Sequence, residues 1–162
     1  MTLHSDTSIT KAKATDIAGI KFMVEAAYSK YIERLNGTKP APMLADYRQL
    51  LDAHDVYVLR TGQESRAVGS IVLSVDENAD SVKIDNVVVD PSAQGRGYGR
   101  MLMDHAESVA RSKGFGALTL FTNVKMFENI GLYNKLGFIE TERRTEGPYE
   151  RVYFRRELPQ RG

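Results

Sequence analysis

Residues 87–100 concentrate the chemistry of this chain. Val87, Val88 and Val89 end an apolar run, and Asp90-Pro91 breaks it. Gln94, Gly95, Arg96, Gly97, Tyr98, Gly99 and Arg100 follow. Beyond them, Met101, Leu102, Ala106, Val109 and Ala110 recur with helical period, so the glycine-rich turn opens a one-sided helix. Glycines at 95, 97 and 99 keep side chains away from the first turn and permit backbone angles that other residues resist. The unpaired N–H groups of that turn, backed by the helix dipole, suit a phosphate or pyrophosphate. Arg96 and Arg100 add positive charge. The chemistry is anion binding by main chain.

Spacing narrows the choice of anion. A dinucleotide fingerprint needs G-x-G-x-x-G and an acidic residue roughly 20 positions on. Counted from Gly95 the third glycine falls on Arg100, and counted from Gly97 it falls on Leu102. A P-loop needs Gly-Lys-Ser/Thr, whereas Gly99 precedes Arg100-Met101. Both nucleotide motifs fail on residues.

The pattern Gln94-x-x-Gly97-x-Gly99 after a Val-Asp-Pro strand end resembles the acyl-CoA signature of the GNAT superfamily of N-acyltransferases. A second block begins 30 positions after Gly99: Asn129-Ile130-Gly131-Leu132-Tyr133-Asn134-Lys135-Leu136-Gly137-Phe138. It is similar to that family's helix ending in L-Y-x-K-L-G-F. With the flanking strands the resemblance covers residues 55–158. It implies a three-layer α+β fold: a mixed, mostly antiparallel central sheet with one splayed parallel pair and helices on both faces. It also implies that the 94–100 loop binds the pyrophosphate of acetyl-CoA, that backbone N–H groups of Val87, Val88 and Val89 hold the acetyl carbonyl, and that Tyr133 protonates the departing thiolate. Two departures stand out. Phe121 occupies the place of a glutamate that serves many members as proton acceptor, and Met126 that of a coenzyme-contacting asparagine. Coenzyme contacts then shift to Asn123 and Asn129. The general base stays open among Asp85, Glu128 and a water chain.

The implied reaction is direct transfer of acetyl from acetyl-CoA to a primary amine of a small molecule or peptide. The amine must be neutral, and a free alkyl ammonium has a pKa of about 10. Donors are needed where the carbonyl oxygen gains charge, and a proton for the thiolate. A phenol, protonated at neutral pH, can give that proton. A reading from another class is a non-catalytic acyl-CoA sensor, which the missing glutamate at 121 favours.

Composition sets the frame. A length of 162 residues points to one domain, 1–162, able to bury roughly 70% of its unfolded surface. With 22 basic and 21 acidic residues the net charge is +1, which gives no reason to expect nucleic acid or an anionic membrane as partner. There is no cysteine, hence no disulfide, no thiol nucleophile and no Cys-based zinc site; no metal is expected. Lys11, Lys13, Asp16 and Lys21 interrupt any leader or span, so a cytoplasmic protein is expected, and a homodimer is compatible with the resemblance.

The elements that must position these residues follow in order. A polar N-terminus leads to an edge strand over residues 8–13. Thr15 or Asp16 caps a helix carrying Ile17, Ile20, Val24, Ala27 and Tyr31, which Asn36-Gly37 ends. Pro40 and Pro42 stiffen a connection, and residues 44–54 form a further helix. On a helix Tyr28, Tyr31 and Arg34 step round by about 60° each and share one flank. With Tyr47 they form either a solvated edge or, by the resemblance, one wall of the acceptor cleft within a helical segment over residues 15–54. Strands over 56–60, 67–75 and 81–89 make an antiparallel meander around turns at Thr61-Gly62-Gln63 and residues 77–80. The valine run 87–89 reads as buried on both faces. His105 borders the apolar stripe as a packing or capping residue. Leu118, Thr119, Leu120 and Phe121 form a strand parallel to and beside residues 87–89. Asn123 caps a helix whose inner side carries Met126, Phe127, Ile130, Tyr133 and Leu136. A hairpin over 138–142 and 150–158 closes the chain, and its Arg143, Arg144, Tyr149 and Arg151 offer a second cleft wall.

Overall fold

The computed structural model describes residues 6–62 and 66–159. The polar N-terminal loop and Gln63 of the first turn lie outside the described residues. Seven strands form one sheet: β1 (Thr7–Lys11), β2 (Asp55–Thr61), β3 (Ala67–Asp76), β4 (Ser81–Val89), β5 (Ala117–Asn123), β6 (Ile139–Glu146) and β7 (Tyr149–Glu157). Their order is β1-β2-β3-β4-β5-β7-β6. Every pair is antiparallel except β4 with β5. The first seven residues of β3 are all buried, which the centre of a sheet covered on both faces requires.

Two helices cover opposite faces. Helix α1 (Ile17–Tyr28) packs Ile20, Met23 and Val24 with Val56, Val58, Val72 and Val88. Helix α4 (Tyr98–Ser112) packs Leu102, Ala106 and Ala110 with Leu59, Ile71, Leu73, Val82, Leu118 and Phe154. Left-handed Gly114 ends α4, with the Phe115 N–H donating to Ala110 O and the Gly114 N–H to Arg111 O.

Several local expectations shift. The first helix stops at Tyr28, and a separate turn, α2 (Tyr31–Arg34), follows. Asp16 does not cap α1: its carboxylate accepts from the Lys13 N–H and from Arg60 instead. Helix α3 (Tyr47–Ala53) begins after Leu44, because Asp46 accepts from the Gln49 N–H as its cap and leaves Leu44 exposed on a preceding 3₁₀ turn. Asn123 accepts from the Lys125 N–H one turn before α5 (Phe127–Lys135), so it shapes the approach to that helix without capping it. Phe127 points outward at 63% exposure, while Met126 and Tyr133 are buried. The β6–β7 hairpin is longer than expected, with Gly147 at φ +60 allowing a two-residue turn.

The feature that makes the site is the split between β4 and β5. Pairing runs only from Ser81↔Ala117 to Ile84↔Leu120. Immediately beyond, the β3–β4 register shifts, with Val72 opposite Asn86 and Leu73 opposite Ile84, so Asp85 is the extra residue of a bulge. From there β4 follows β3 and β5 follows β7. The expected pairing of the 118–121 strand with residues 87–89 is therefore absent, and the two stretches diverge. The Asp90 N–H donates to Val68 O, which turns even-numbered positions of this end of β4 toward β3. Val87 and Val89 consequently turn their N–H and C=O groups to the open edge, since backbone direction alternates along a strand.

His105 packs as expected, edge-on to Tyr57 with ring centroids 4.4 Å apart. Its Nε2 is buried without a hydrogen-bond partner among the described residues, and burial holds its pKa below 6.5. A base depressed in the fold adds nothing to stability above its unfolded pKa. Stability then falls as pH drops from about 6.5 through the depressed value, because the unfolded chain takes up the proton first. An NMR titration should place the His105 midpoint below 6.5, and the melting temperature of His105→Phe should fall less across that window than the parent's.

Candidate functional site

Asp90 starts the cradle. Its Oδ1 accepts from the Ser92 N–H and Oγ, at 2.9 and 2.7 Å. Burial works against this carboxylate, but those bonds and the Arg66 charge outweigh it and hold the pKa below the usual carboxylate range. The 3₁₀ turn Pro91–Ala93 then leads through Gly95 and Gly97, at φ +83 and +81, into α4. Left-handed angles at these two positions are ones that glycine adopts without a steric penalty. Gly99 differs: it is already helical, and an added Cβ would meet only Val89 Cγ2 at 3.8 Å. A side chain there would project into open space beside the turn.

A cavity of about 290 Å³ lies over this turn, lined by Val87, Val88, Val89, Gln94, Gly95, Gly97, Tyr98 and Gly99, with Asn129, Leu132 and Tyr133 opposite. Arg96 and Arg100 do not line it; both are exposed close by in sequence, where they add long-range positive charge. Of the three valines, Val88 is 3% exposed and packs against α1, and its backbone faces β3. The run is thus buried at one residue only, and the open-edge donors are Val87 and Val89.

A second cavity, of about 250 Å³, opens on the other side of the split. The connection around Pro40 and Pro42, Tyr47, His54, Asp85, Asn86, Phe121, Asn123, Tyr149 and Arg151 line it. Tyr28, Val87, Asn129 and Tyr133 line both cavities, so the two spaces meet at these four residues. The Tyr28 hydroxyl donates to Val87 O at 3.3 Å, and its pKa is pushed up by burial. Asn86 Nδ2 donates to the Tyr47 hydroxyl, which donates to Pro42 O, and burial raises the Tyr47 pKa to about 12. The Tyr149 hydroxyl donates to Lys39 O at 2.7 Å, tying the β6–β7 turn across the cavity to the proline-rich connection.

Tyr133 is 8% exposed and packs 5.9 Å from the rings of both Phe138 and Phe154. Burial, with a smaller contribution from Tyr31, raises its pKa to about 12. It stays a proton donor across the physiological range.

Tyr31 and Arg34 line neither cavity. Tyr31 is buried with Leu35 and Met126. Arg34 donates to both carboxylate oxygens of Glu128 and to Lys125 O, fastening α2 to α5. Tyr28 and Tyr31 remain neighbours at 6.1 Å, but the break between α1 and α2 leaves only Tyr28 and Tyr47 of that proposed wall at the cleft. Glu128 is engaged by Arg34, which holds its pKa below the usual range, so it is no base for the cavity. Arg143 and Arg144 pair with Glu140 and Glu142 on exposed β6. Asp85 lines the second cavity; Lys83 lies 3.6 Å from its Oδ1, and its buried Oδ2 has no hydrogen-bond partner among the described residues. Asn86 and His54 were not anticipated from sequence. No spacing marks them; the Asp85 bulge and the end of α3 bring them in.

A mixed sheet split at its one parallel pair, with helices on both faces, is the fold of the acetyltransferases to which this chain is similar. The chain belongs to the acetyltransferase (GNAT) family, whose profile matches residues 22–138. It is 33% identical over 101 residues to an IAA acetyltransferase of Azospirillum brasilense, an alignment covering 62% of this chain and 65% of that protein's length. The fold is similar to that of the ribosomal-protein-S18-alanine N-acetyltransferase of Escherichia coli, with a TM-score of 0.72 at 19% identity over 96% of each chain. It is also similar to a PaiA N-acetyltransferase of Thermoplasma acidophilum solved in complex with coenzyme A. There the TM-score is 0.75 at 14% identity, over 94% of this chain and 99% of that one.

Proposed function

We propose that this chain transfers acetyl from acetyl-CoA directly to a primary amine of a small molecule or peptide. The observation that carries this reading is the meeting of the two cavities at Tyr28, Val87, Asn129 and Tyr133. Backbone N–H groups from Gly95 to Arg100 hold the pyrophosphate, with Gln94 and the charge of Arg96 and Arg100 beside them. The N–H groups of Val87 and Val89 receive the acetyl oxygen as it gains charge. Asn129 and Leu132 border the path of the pantetheine arm, and Asn123 borders the amine. In this reading the described chain works as one unit, residues 15–54 supplying the acceptor side. A non-catalytic sensor would need only the cradle, and a second cavity open to the same point favours transfer.

Asp85 is the base in this scheme. As the neutral amine bonds to the acetyl carbon its nitrogen becomes cationic and carries two acidic protons; the Asp85 carboxylate accepts one, and the other stays as the amide N–H. Carbon–sulfur cleavage then leaves a thiolate, to which Tyr133 donates. Asp85→Asn should lower kcat/KM about 10²-fold at neutral pH. The loss should shrink at high pH, where hydroxide can accept that proton in place of the carboxylate. A pH profile parallel to the parent's would remove Asp85 from the role. Turnover itself is tested by a thiol-release screen of amines with acetyl-CoA, with mass spectrometry of the amine product. Thiol release that depends on added amine, with an N-acetylated product, is the expected result.

A further inference from the structure

The acceptor-side cavity holds a guanidinium arranged as a receptor. Arg151, 17% exposed at its side chain, lies over two aromatic rings: Phe121, whose centroid is 4.4 Å from the guanidinium carbon, and Tyr149, at 5.1 Å. Arg151, Phe121 and Tyr149 all line the cavity. Contacts of this kind hold the guanidinium by attraction to the ring faces and use none of its N–H donors. One corner, Nη1, donates to Glu146 Oε2 at 3.2 Å. Glu146 is also held by the Tyr153 hydroxyl, which anchors it on the hairpin. Nε and Nη2 of Arg151 have no hydrogen-bond partner among the described residues. These two donors form the edge that matches a carboxylate in a two-point contact.

Phe121 takes part in this arrangement. Its ring offers no hydrogen-bond acceptor, so it packs against the guanidinium without engaging the N–H donors. Asp85 supplies the opposite charge in the same cavity of about 250 Å³. The walls between them are largely aromatic and apolar: Tyr28, Tyr47, Leu120 and Phe121.

Building on the transfer reading above, we propose that the acceptor is a compact primary amine that carries a carboxylate. Arg151 receives the carboxylate on its Nε/Nη2 edge and Asp85 faces the amine. An apolar or aromatic amino acid fits this pattern, and a polyamine or aminoglycoside does not. Arg151 is a specificity-determining residue that takes no proton and touches no reacting atom.

The test compares amino acids with their own amides. With the parent chain, the acid should be acetylated with kcat/KM at least 10-fold above the amide. Arg151→Gln should raise KM for the acid about 30-fold, the expected loss for a charge-assisted contact, with KM for the amide changing less than 3-fold. Arg151→Lys keeps the charge and most of the stem and should recover part of the acid preference. Arg143→Gln, on the exposed face of β6, should leave the acid preference in place. A parent that prefers the amide or a polyamine, or an Arg151→Gln loss shared equally by acid and amide, overturns the proposal while leaving acetyl transfer intact. If no amine is acetylated, transfer itself fails and the receptor is read by calorimetry of phenylalanine on coenzyme A-loaded chain. Binding that Arg151→Gln abolishes supports the receptor; no binding, or binding that survives, overturns it.

Discussion

Replacing Tyr133 by Phe should lower kcat by about 10²–10³, leaving acetyl-CoA affinity within a few-fold and stability nearly unchanged. The substitution removes one oxygen and keeps the ring packed between Phe138 and Phe154. The magnitude follows from pKa values. Tyr133 sits at about 12, and an ordinary thiol at about 8.5, so complete transfer of the phenolic proton would be uphill by roughly 5 kcal/mol. The hydroxyl therefore works mainly as a hydrogen-bond donor to sulfur as charge builds, and one aimed donor in a dry site contributes about 10²–10³. Net protonation of the thiolate is completed from solvent. A kcat within a factor of two of the parent, with chemistry shown to be rate-limiting, would make Tyr133 a packing residue.

Gly99→Glu should abolish measurable coenzyme A binding, a loss of at least 100-fold, in a chain that still folds. The fold tolerates a side chain here, since the backbone is helical and the nearest obstacle is Val89 Cγ2 at 3.8 Å. The ligand does not. The new side chain would enter the cradle cavity, and its carboxylate would repel a pyrophosphate where the α4 dipole should attract one. Calorimetry showing parental affinity, with an unchanged melting temperature, would remove the pyrophosphate from this turn.

Both variants lie in segments that local pattern alone could find. The glycine-rich turn and the block around Tyr133 are continuous stretches whose residue types and spacing carry their meaning, and both line the cradle cavity. The antiparallel meander and the helical crossover between β4 and β5 were likewise legible, because period-2 and period-3.6 patterns are local. What escaped was long-range. Register between β4 and β5 depends on where Asp85 bulges, and no periodicity in either strand announces an extra residue. The acceptor wall was misjudged at Tyr31 and Arg34 for a similar reason. Their helical spacing placed them with Tyr28, but α1 ends at Tyr28 and Glu128, on a distant helix, takes the guanidinium. Arg151 reads in the sequence as one of several hairpin cations; its place beside Phe121 and Tyr149 depends on strand pairing that no local pattern announces.

The central claim is that two substrates occupy adjoining cavities at once and react directly across Tyr133. Initial rates measured over a grid of acetyl-CoA and amine concentrations test it most directly. The chain has no cysteine, and the two cavities share four residues, so double-reciprocal lines should intersect, as a ternary complex requires. Parallel lines, with the chain itself acetylated when acetyl-CoA is supplied alone, would mean a covalent intermediate and would contradict direct transfer.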